Sequence, residues 1–212
     1  MDIKQQFINF INQNNYPCIG ARAAAKKNQL YFFIGEDLRD DKNDKAIINH
    51  IYQFIKFINN SLKTCIIIFK NSPSLTDSQF EDFLWQRLQA LHHLDSIQYS
   101  WDPSVSSDVN DNNFSFCLGG KAFFIVGMHP NSSRKARQFA YPTLIFNLHE
   151  QFEQLKKENR YLAMRDKIRE NDLFFSGSIN PMLQDFGTMS EALQYSGRLV
   201  CDTHCCPFKA DS

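Results

Sequence analysis

A histidine and two arginines stand close together in the segment HPNSSRKAR. His129 directly follows an apolar, strand-like run, and Arg134 and Arg137 come five and eight residues later. A neutral imidazole is a good ligand for iron, and the planar arginine fork pairs well with carboxylates. A haem needs both, an axial ligand for its iron and cationic partners for its propionates. The alternative is a histidine packed at a strand end beside two solvated arginines, and the residue types alone favour that alternative.

The residues before and after His129 suggest how the fold would position it. The runs FSFCL and KAFFIVG are joined by Gly119-Gly120, and two glycines allow the positive φ of a tight hairpin turn. Pro130 is tolerated at the first position of a helix, so NSSRKARQF would place Arg134 and Arg137 on one side of a helix. His129 would then lie at the end of the sheet, just after the strand, with both guanidinium groups nearby.

The rest of the chain alternates between helical and strand-like segments. Apolar residues at helical spacing indicate helices, one of which begins where Thr76 and Gln79 have capping-box spacing, and β-branched runs indicate interior strands. The predicted helices are 3–13, 44–59, the helix that begins at Thr76, and one or two within 148–172; the predicted strands are 30–35, 64–70 and 142–147, besides the hairpin. The last forty residues are rich in turn residues, which is typical of a segment that packs across a sheet or forms a lid.

These elements predict an α+β fold. We expect residues 1–212 to form a single domain with a mixed, largely antiparallel sheet, flanking helices and a loop-rich C-terminal tail.

Composition excludes several classes of protein. The 23 basic and 23 acidic residues balance, so no global field would attract nucleic acid or an anionic membrane. No apolar run has the length of a membrane span, and the amino terminus lacks a signal-peptide core, which predicts a cytoplasmic protein. Twenty phenylalanines indicate an aromatic interior or an apolar pocket. No Gly-rich phosphate loop, Ser-His-Asp order or HExxH helix is present.

The six cysteines do not predict a disulfide scaffold in a chain of 212 residues. Cys201, His204, Cys205 and Cys206 cluster in CDTHCC, but their spacing matches no standard zinc pattern and no second ligand pair lies elsewhere. A structural zinc site is therefore disfavoured there.

Several motifs resemble those of one known family. They are FSFCLGGKAFFIVGMHPNSSRKARQF, PTLIFNLHEQFEQL, NPMLQDFGTMSEALQYSGR, LWQRLQALHHLD, WDPSVSSD, CCPF, and GAR at 20–22. In this order, and over nearly the whole chain, the sequence resembles the YqcI/YcgG family, and within it the branch of the guanitoxin pathway. The second histidine of LHHLD, where that branch leads us to expect an acid, and the extra cysteines of CDTHCC are departures outside the His-Pro-x-x-Ser-Arg-x-x-Arg motif.

The resemblance implies a haem-dependent monooxygenase. Members of the branch hydroxylate a guanidino nitrogen of arginine or of an arginine-derived small molecule. The expected cofactor is haem b with its iron, and the expected partners are a guanidino substrate, dioxygen and an electron donor. We expect cofactor contacts from the motif residues His129, Ser133, Arg134 and Arg137, and from Phe124 in the phenylalanine-rich strand.

More than one residue could bind the iron. His129 is the first choice because of its position at a strand end beside two arginines. Cys206 is the rival, since a thiolate ligand favours O–O cleavage. For His149, a helical pairing with Glu153 four residues later is the simpler interpretation. His92 is better explained as a residue at the edge of the core.

A guanidinium substrate needs an anionic partner, because a buried unpaired charge is costly. Glu150, Asp185 and Glu191 are the acids within the motifs, and we expect catalytic roles for Asp185 and Glu150 in particular. Trp101 and Asp102 could form a wall of the pocket. Two other classes of function stay open, a haem-binding or gas-sensing protein without turnover and a non-haem protein that binds an anionic small molecule.

Overall fold

The computed structural model describes residues 2–57, 63–180, 189–199 and 206–210. Its helices and strands follow one another as α1 (Ile3–Ile11), α2 (Ile19–Lys26), β1 (Leu30–Gly35), α3 (Asp44–Lys56), β2 (Thr64–Phe69), α4 (Asp77–Asp95), β3 (Phe116–Leu118), β4 (Lys121–Met128), β5 (Thr143–Leu148), α5 (His149–Lys157), α6 (Tyr161–Ser176) and α7 (Ala192–Tyr195). No helix among these residues has the length and apolar character needed to span a membrane.

The five strands form one mixed sheet in the order β1-β2-β5-β4-β3. β1 and β2 are parallel, and the other three neighbouring pairs are antiparallel. The predicted α+β class with a mixed, largely antiparallel sheet is confirmed. β2 lies in the interior of the sheet and is buried along its whole length, as its run of β-branched residues predicted.

The two faces of the sheet carry separate apolar cores. Side chains alternate along a strand, so Phe123 and Ile125 of β4 belong to the core on the side of α3 and α4. Val126 and Met128 belong to the second core, which includes side chains of α1 and α6. This alternation decides which side chains of β4 share a compartment.

Local sequence signals account for the positions of α4 and the hairpin. Thr76 and Gln79 form the predicted capping box at the start of α4. Gly119 and Gly120 have φ of +60° and +68° in the turn between β3 and β4, which matches the primed hairpin turn. α4 packs close to β4, because a Cβ atom on Gly127 would lie 2.6 Å from the Phe80 ring.

The helix predicted after Pro130 does not form. Only a three-residue 3-10 turn, Lys135–Arg137, follows β4. Polar side chains bind the backbone there: Ser132 Oγ accepts a hydrogen bond from the Arg134 amide, and the Asp77 carboxylate accepts one from the Ser133 amide. Such local bonds compete with helical ones, so the Asn-Ser-Ser stretch forms turns instead.

The sequence analysis also missed two helices, α2 and the four-residue α7 in the predicted loop-rich tail. α2 was not predicted; it begins after Cys18, whose sulfur accepts a hydrogen bond from the Ala21 amide.

Candidate functional site

His129 is enclosed on the α4 side of the sheet. Its side chain is fully buried, and its ring stacks on Phe80 with centroids 4.4 Å apart. Nε2 donates to Asp77 Oδ1 over 3.0 Å. Burial lowers the pKa of His129, while the bond to Asp77 opposes that shift. The ring is therefore a neutral, hydrogen-bonded part of the contact between β4 and α4.

The two arginines point to the opposite side of the sheet, where they line an apolar cavity of about 270 Å³. Arg134 Nη2 donates to Asp172 Oδ2 at 2.7 Å and to the Ser178 carbonyl at 2.7 Å. Arg137 donates to the carbonyls of Tyr195 at 2.8 Å and Gln194 at 2.9 Å. Burial lowers the pKa of Arg137 to about 10, so the guanidinium still carries its charge at neutral pH.

The cavity lies between the sheet and the helices α1, α2 and α6. Its floor is formed by alternate residues of β4 and β5, including Phe124, Val126 and Ile145. Phe7 and Ile11 of α1 and Met164 and Ile168 of α6 supply further apolar wall. Cys18 also lines the cavity. The residue as a whole is exposed to solvent, but its thiol group is surrounded by neighbouring atoms, and this local burial raises the pKa of the thiol.

One buried carboxyl group faces the same cavity. Glu191 Oε2 accepts a hydrogen bond from Ser115 Oγ at 3.0 Å and lies 3.3 Å from the Tyr195 hydroxyl. Burial raises the pKa of Glu191 to about 8. His149 lies behind it, with Nδ1 3.8 Å from Glu191 Oε1.

A second depression, the outer groove, is open to solvent and lies beside β4 and α5. It is lined by Asp102, Lys121, His149 and Glu150, among others. Glu150 pairs there with Lys121 at 3.1 Å, and both side chains are about half exposed. Glu150 is therefore a groove residue and does not line the cavity.

The structure brings together only part of the predicted site. Arg134, Arg137 and Phe124 line the cavity, whereas His129 faces the other side of the sheet. Ser133 is exposed and contacts Asp77 through its amide. Asp185 lies outside the described residues, as do Cys201, His204 and Cys205 of the cysteine cluster.

The alternative iron ligands are also placed elsewhere. Cys206 packs against the core on the α3 and α4 side, where burial raises the pKa of its thiol to about 12. His92 is buried in an aromatic cluster with Trp101 and Phe208. The helical pairing expected for His149 is seen, with Nε2 4.0 Å from Glu153 Oε1.

Sequence reasoning missed the contribution of the amino-terminal helices. Tyr16 and Cys18 line the cavity, and the Tyr16 hydroxyl donates to the Ala136 carbonyl across 120 residues of sequence. The apolar faces of α1 and α6 were visible in the sequence, but nothing in it indicated that both cover the same face of the sheet. Contacts between residues so far apart in the chain cannot be predicted from the pattern of neighbouring residues.

Similarity to known proteins is found at the level of a family model. No curated protein and no solved structure matches the chain. The model described as the YqcI/YcgG family matches residues 7–209. Because this match spans nearly the whole chain, the protein belongs to the YqcI/YcgG family.

Proposed function

We propose that the protein is a haem-dependent monooxygenase that N-hydroxylates the guanidino group of arginine or of an arginine-derived small molecule. The observation that supports this proposal is the cavity itself: apolar walls, the guanidinium groups of Arg134 and Arg137, and the carboxyl group of Glu191. An apolar slot with a few placed charges suits a flat apolar cofactor with anionic edges and a cationic substrate.

The lining suits a haem in its chemistry. Arg134 and Arg137 are the cations that would hold the propionates, and Phe124 and Phe152 are the aromatic walls. The volume of about 270 Å³ is below the usual range for ligand pockets, roughly 300–1,000 Å³, so α6 would have to move outward to admit a macrocycle. Such a movement would have to break the bond between Arg134 and Asp172, which joins the 3-10 turn to α6.

Each part of the reaction would use residues of this chain. The bound haem supplies the activation of dioxygen. Glu191 holds the guanidinium group of the substrate. Holding this group in one orientation next to the reacting centre speeds the reaction, because the entropy cost of alignment is met on binding. The aromatic and aliphatic side chains around Phe124 exclude water, which strengthens the charge pairing inside the cavity.

Cys18 is the residue of the cavity wall that we assign to the iron. It is the N-cap of α2. Binding to the iron would have to remove the proton of its thiol, because burial raises the pKa of Cys18. His129 was the sequence-based choice, but its ring is on the other face of the sheet, with Nε2 bonded to Asp77.

The experiment is a spectrum of the full chain expressed with a haem precursor, followed by turnover with arginine, dioxygen and a reductant. We expect a Soret band, a spectral shift on adding arginine, and a product heavier by one oxygen in mass spectrometry. Absence of a Soret band would refute the haem proposal. A Soret band without product from any guanidino compound would leave a haem-binding or gas-sensing protein.

Variants of two cysteines test the ligand. Cys18→Ser should shift the Soret band and abolish the red-shifted band of the reduced carbonyl complex that marks thiolate ligation. Cys206→Ser is the matched control, and it should keep the parent spectrum because Cys206 packs on the other side of the sheet. The reverse pattern would assign the iron to Cys206.

A further inference from the structure

Glu191 is a buried acid that faces the cavity, and among the described residues no lysine or arginine forms an ion pair with it; His149 Nδ1 lies 3.8 Å from its Oε1. Its side chain is 4% exposed, and in the described part of the chain the hydroxyls of Ser115 and Tyr195 lie within hydrogen-bonding distance of its carboxyl group. Asp172, the other acid of the cavity wall, is already paired with Arg134. Of these two carboxyl groups, Glu191 is the one left to receive a cation.

Loss of hydration on burial keeps Glu191 protonated when no cation is present. His149 and Lys156 approach it from α5, Tyr195 from α7, and Cys117 from β3. Loss of hydration is the largest effect and raises the pKa of Glu191 to about 8. The hydrogen bonds from Ser115 and Tyr195 and the charge of Lys156 oppose this shift only in part.

His149 connects this buried acid with the outer groove. Its Nδ1 lies 3.8 Å from Glu191 Oε1, and its Nε2 lies 4.0 Å from Oε1 of Glu153, a side chain that is 41% exposed. The ring itself lines the groove, whereas Glu191 lines the cavity. An imidazole between a buried acid and solvent can take up a proton on one nitrogen and release one from the other.

We infer that a cationic ligand entering the cavity displaces the proton of Glu191, which leaves through His149 to the outer groove. The protonated carboxyl group and the free cation become a carboxylate–cation pair, and one proton appears in solvent. Glu191 thereby selects a cationic ligand over a neutral one of the same shape. The identity of that cation as a guanidinium rests on the proposed function.

The test is calorimetric titration of the full chain with arginine and with citrulline, a neutral compound of nearly the same shape. Titrations in two buffers of different ionisation enthalpy report the protons released per ligand bound. We expect close to one proton released with arginine at pH 6 to 7 and none with citrulline. The dissociation constant for arginine should fall about tenfold from pH 6 to pH 7 and level off above pH 8. The reason is that, as the pH rises, Glu191 is already ionised in a larger fraction of the protein molecules.

Glu191→Gln imitates the neutral carboxyl group and keeps its hydrogen bonds. It should abolish proton release, remove the pH dependence and make arginine bind as weakly as citrulline. Glu170→Gln is the matched control; Glu170 is an exposed acid of α6 paired with Lys167, and its variant should behave like the parent. His149→Phe should slow the proton release in stopped flow with a pH indicator and leave its amount unchanged.

Three results would overturn the inference: arginine that does not bind, arginine that binds without releasing a proton, or a Glu191→Gln variant that still releases one. The first two need no variant, so a folding defect cannot obscure them. The haem spectrum and product assay of the same preparations separate the two proposals. Glu191-dependent proton release in a protein that takes up no haem would refute the proposed function alone. Hydroxylation unaffected by Glu191→Gln would refute this inference and the role of Glu191 in substrate binding, while haem-dependent hydroxylation would stand.

Discussion

Individual side chains in this protein have roles that depend on the side of the sheet they face. His129 and Arg137 are eight residues apart, yet the imidazole stacks on Phe80 while the guanidinium group lines the cavity. The histidine is a packing residue with one bond to Asp77, and the arginine is a buried cation held by carbonyl groups. Each should therefore respond differently to substitution.

His129→Ala should lower the free energy of unfolding by about 2–4 kcal/mol, because it removes a buried ring and leaves Asp77 without its partner. Urea denaturation measures the change, and His93→Ala, at an exposed position of α4, should change stability by less than about 0.5 kcal/mol. The Soret band of the folded variant should match the parent. A lost band that imidazole restores would identify His129 as the iron ligand after all.

Arg134→Lys and Arg137→Lys should weaken haem retention, since an ammonium group cannot make the paired contacts of the guanidinium fork. We expect a several-fold faster transfer of haem to apomyoglobin, followed by absorbance, for each variant. Arg160→Lys is the control, because Arg160 is exposed and paired only with Glu158 among the described residues. Transfer rates equal to that of the parent would remove both arginines from the cofactor site.

At the level of secondary structure, the close approach of α4 to β4 keeps the core on that face dry and holds His129 against Phe80. This approach depends on a residue without a side chain at position 127, since an added Cβ would also lie 2.8 Å from Leu84 Cδ1. The parallel pair β1–β2 and the antiparallel hairpin β3–β4 meet at β5, so the cavity floor draws on residues from both parts of the sheet.

Gly127→Ala should destabilise the protein by about 1–3 kcal/mol, because the ring of Phe80 would have to move out of a packed core. Gly20→Ala is a suitable control: its added Cβ would lie 3.9 Å from Cys18 Sγ, and alanine favours a helix over glycine by up to about 1 kcal/mol. Equilibrium urea unfolding should thus give opposite or unequal shifts. Equal stability of the two variants would contradict the close packing.

At the scale of the whole molecule, the buried acid Glu191 couples stability to pH. Its pKa is about 8 in the folded protein and 4.5 for an ordinary glutamate. Between these values the folded chain keeps a proton that the unfolded chain has released, so a rise in pH favours unfolding. Below pH 4.5 the acid is protonated in both states, and above pH 8 the penalty is constant.

The parent should therefore lose stability from pH 5 to pH 8, by on the order of 3–5 kcal/mol if Glu191 acts alone. Glu191→Gln should show a flatter profile and be the more stable of the two at pH 8. Thermal or urea unfolding across this range provides the measurement. Profiles that run parallel would mean that Glu191 is ionised in the folded protein.

The amino-acid sequence alone was enough to predict the strands, the hairpin turn at Gly119-Gly120 and the start of α4 at Thr76, because these depend on residues within a few positions of one another. It also grouped Arg134, Arg137 and Phe124, which line one cavity in the structure. It predicted a helix after Pro130, which local bonds to Ser132 and Asp77 prevent. Tertiary packing decided that His129 and Arg137 face opposite compartments, and that Cys18 and Glu191 line the same cavity. Those pairings join residues far apart in the chain, so only the packing of α1, α2, α6 and α7 around the sheet could establish them.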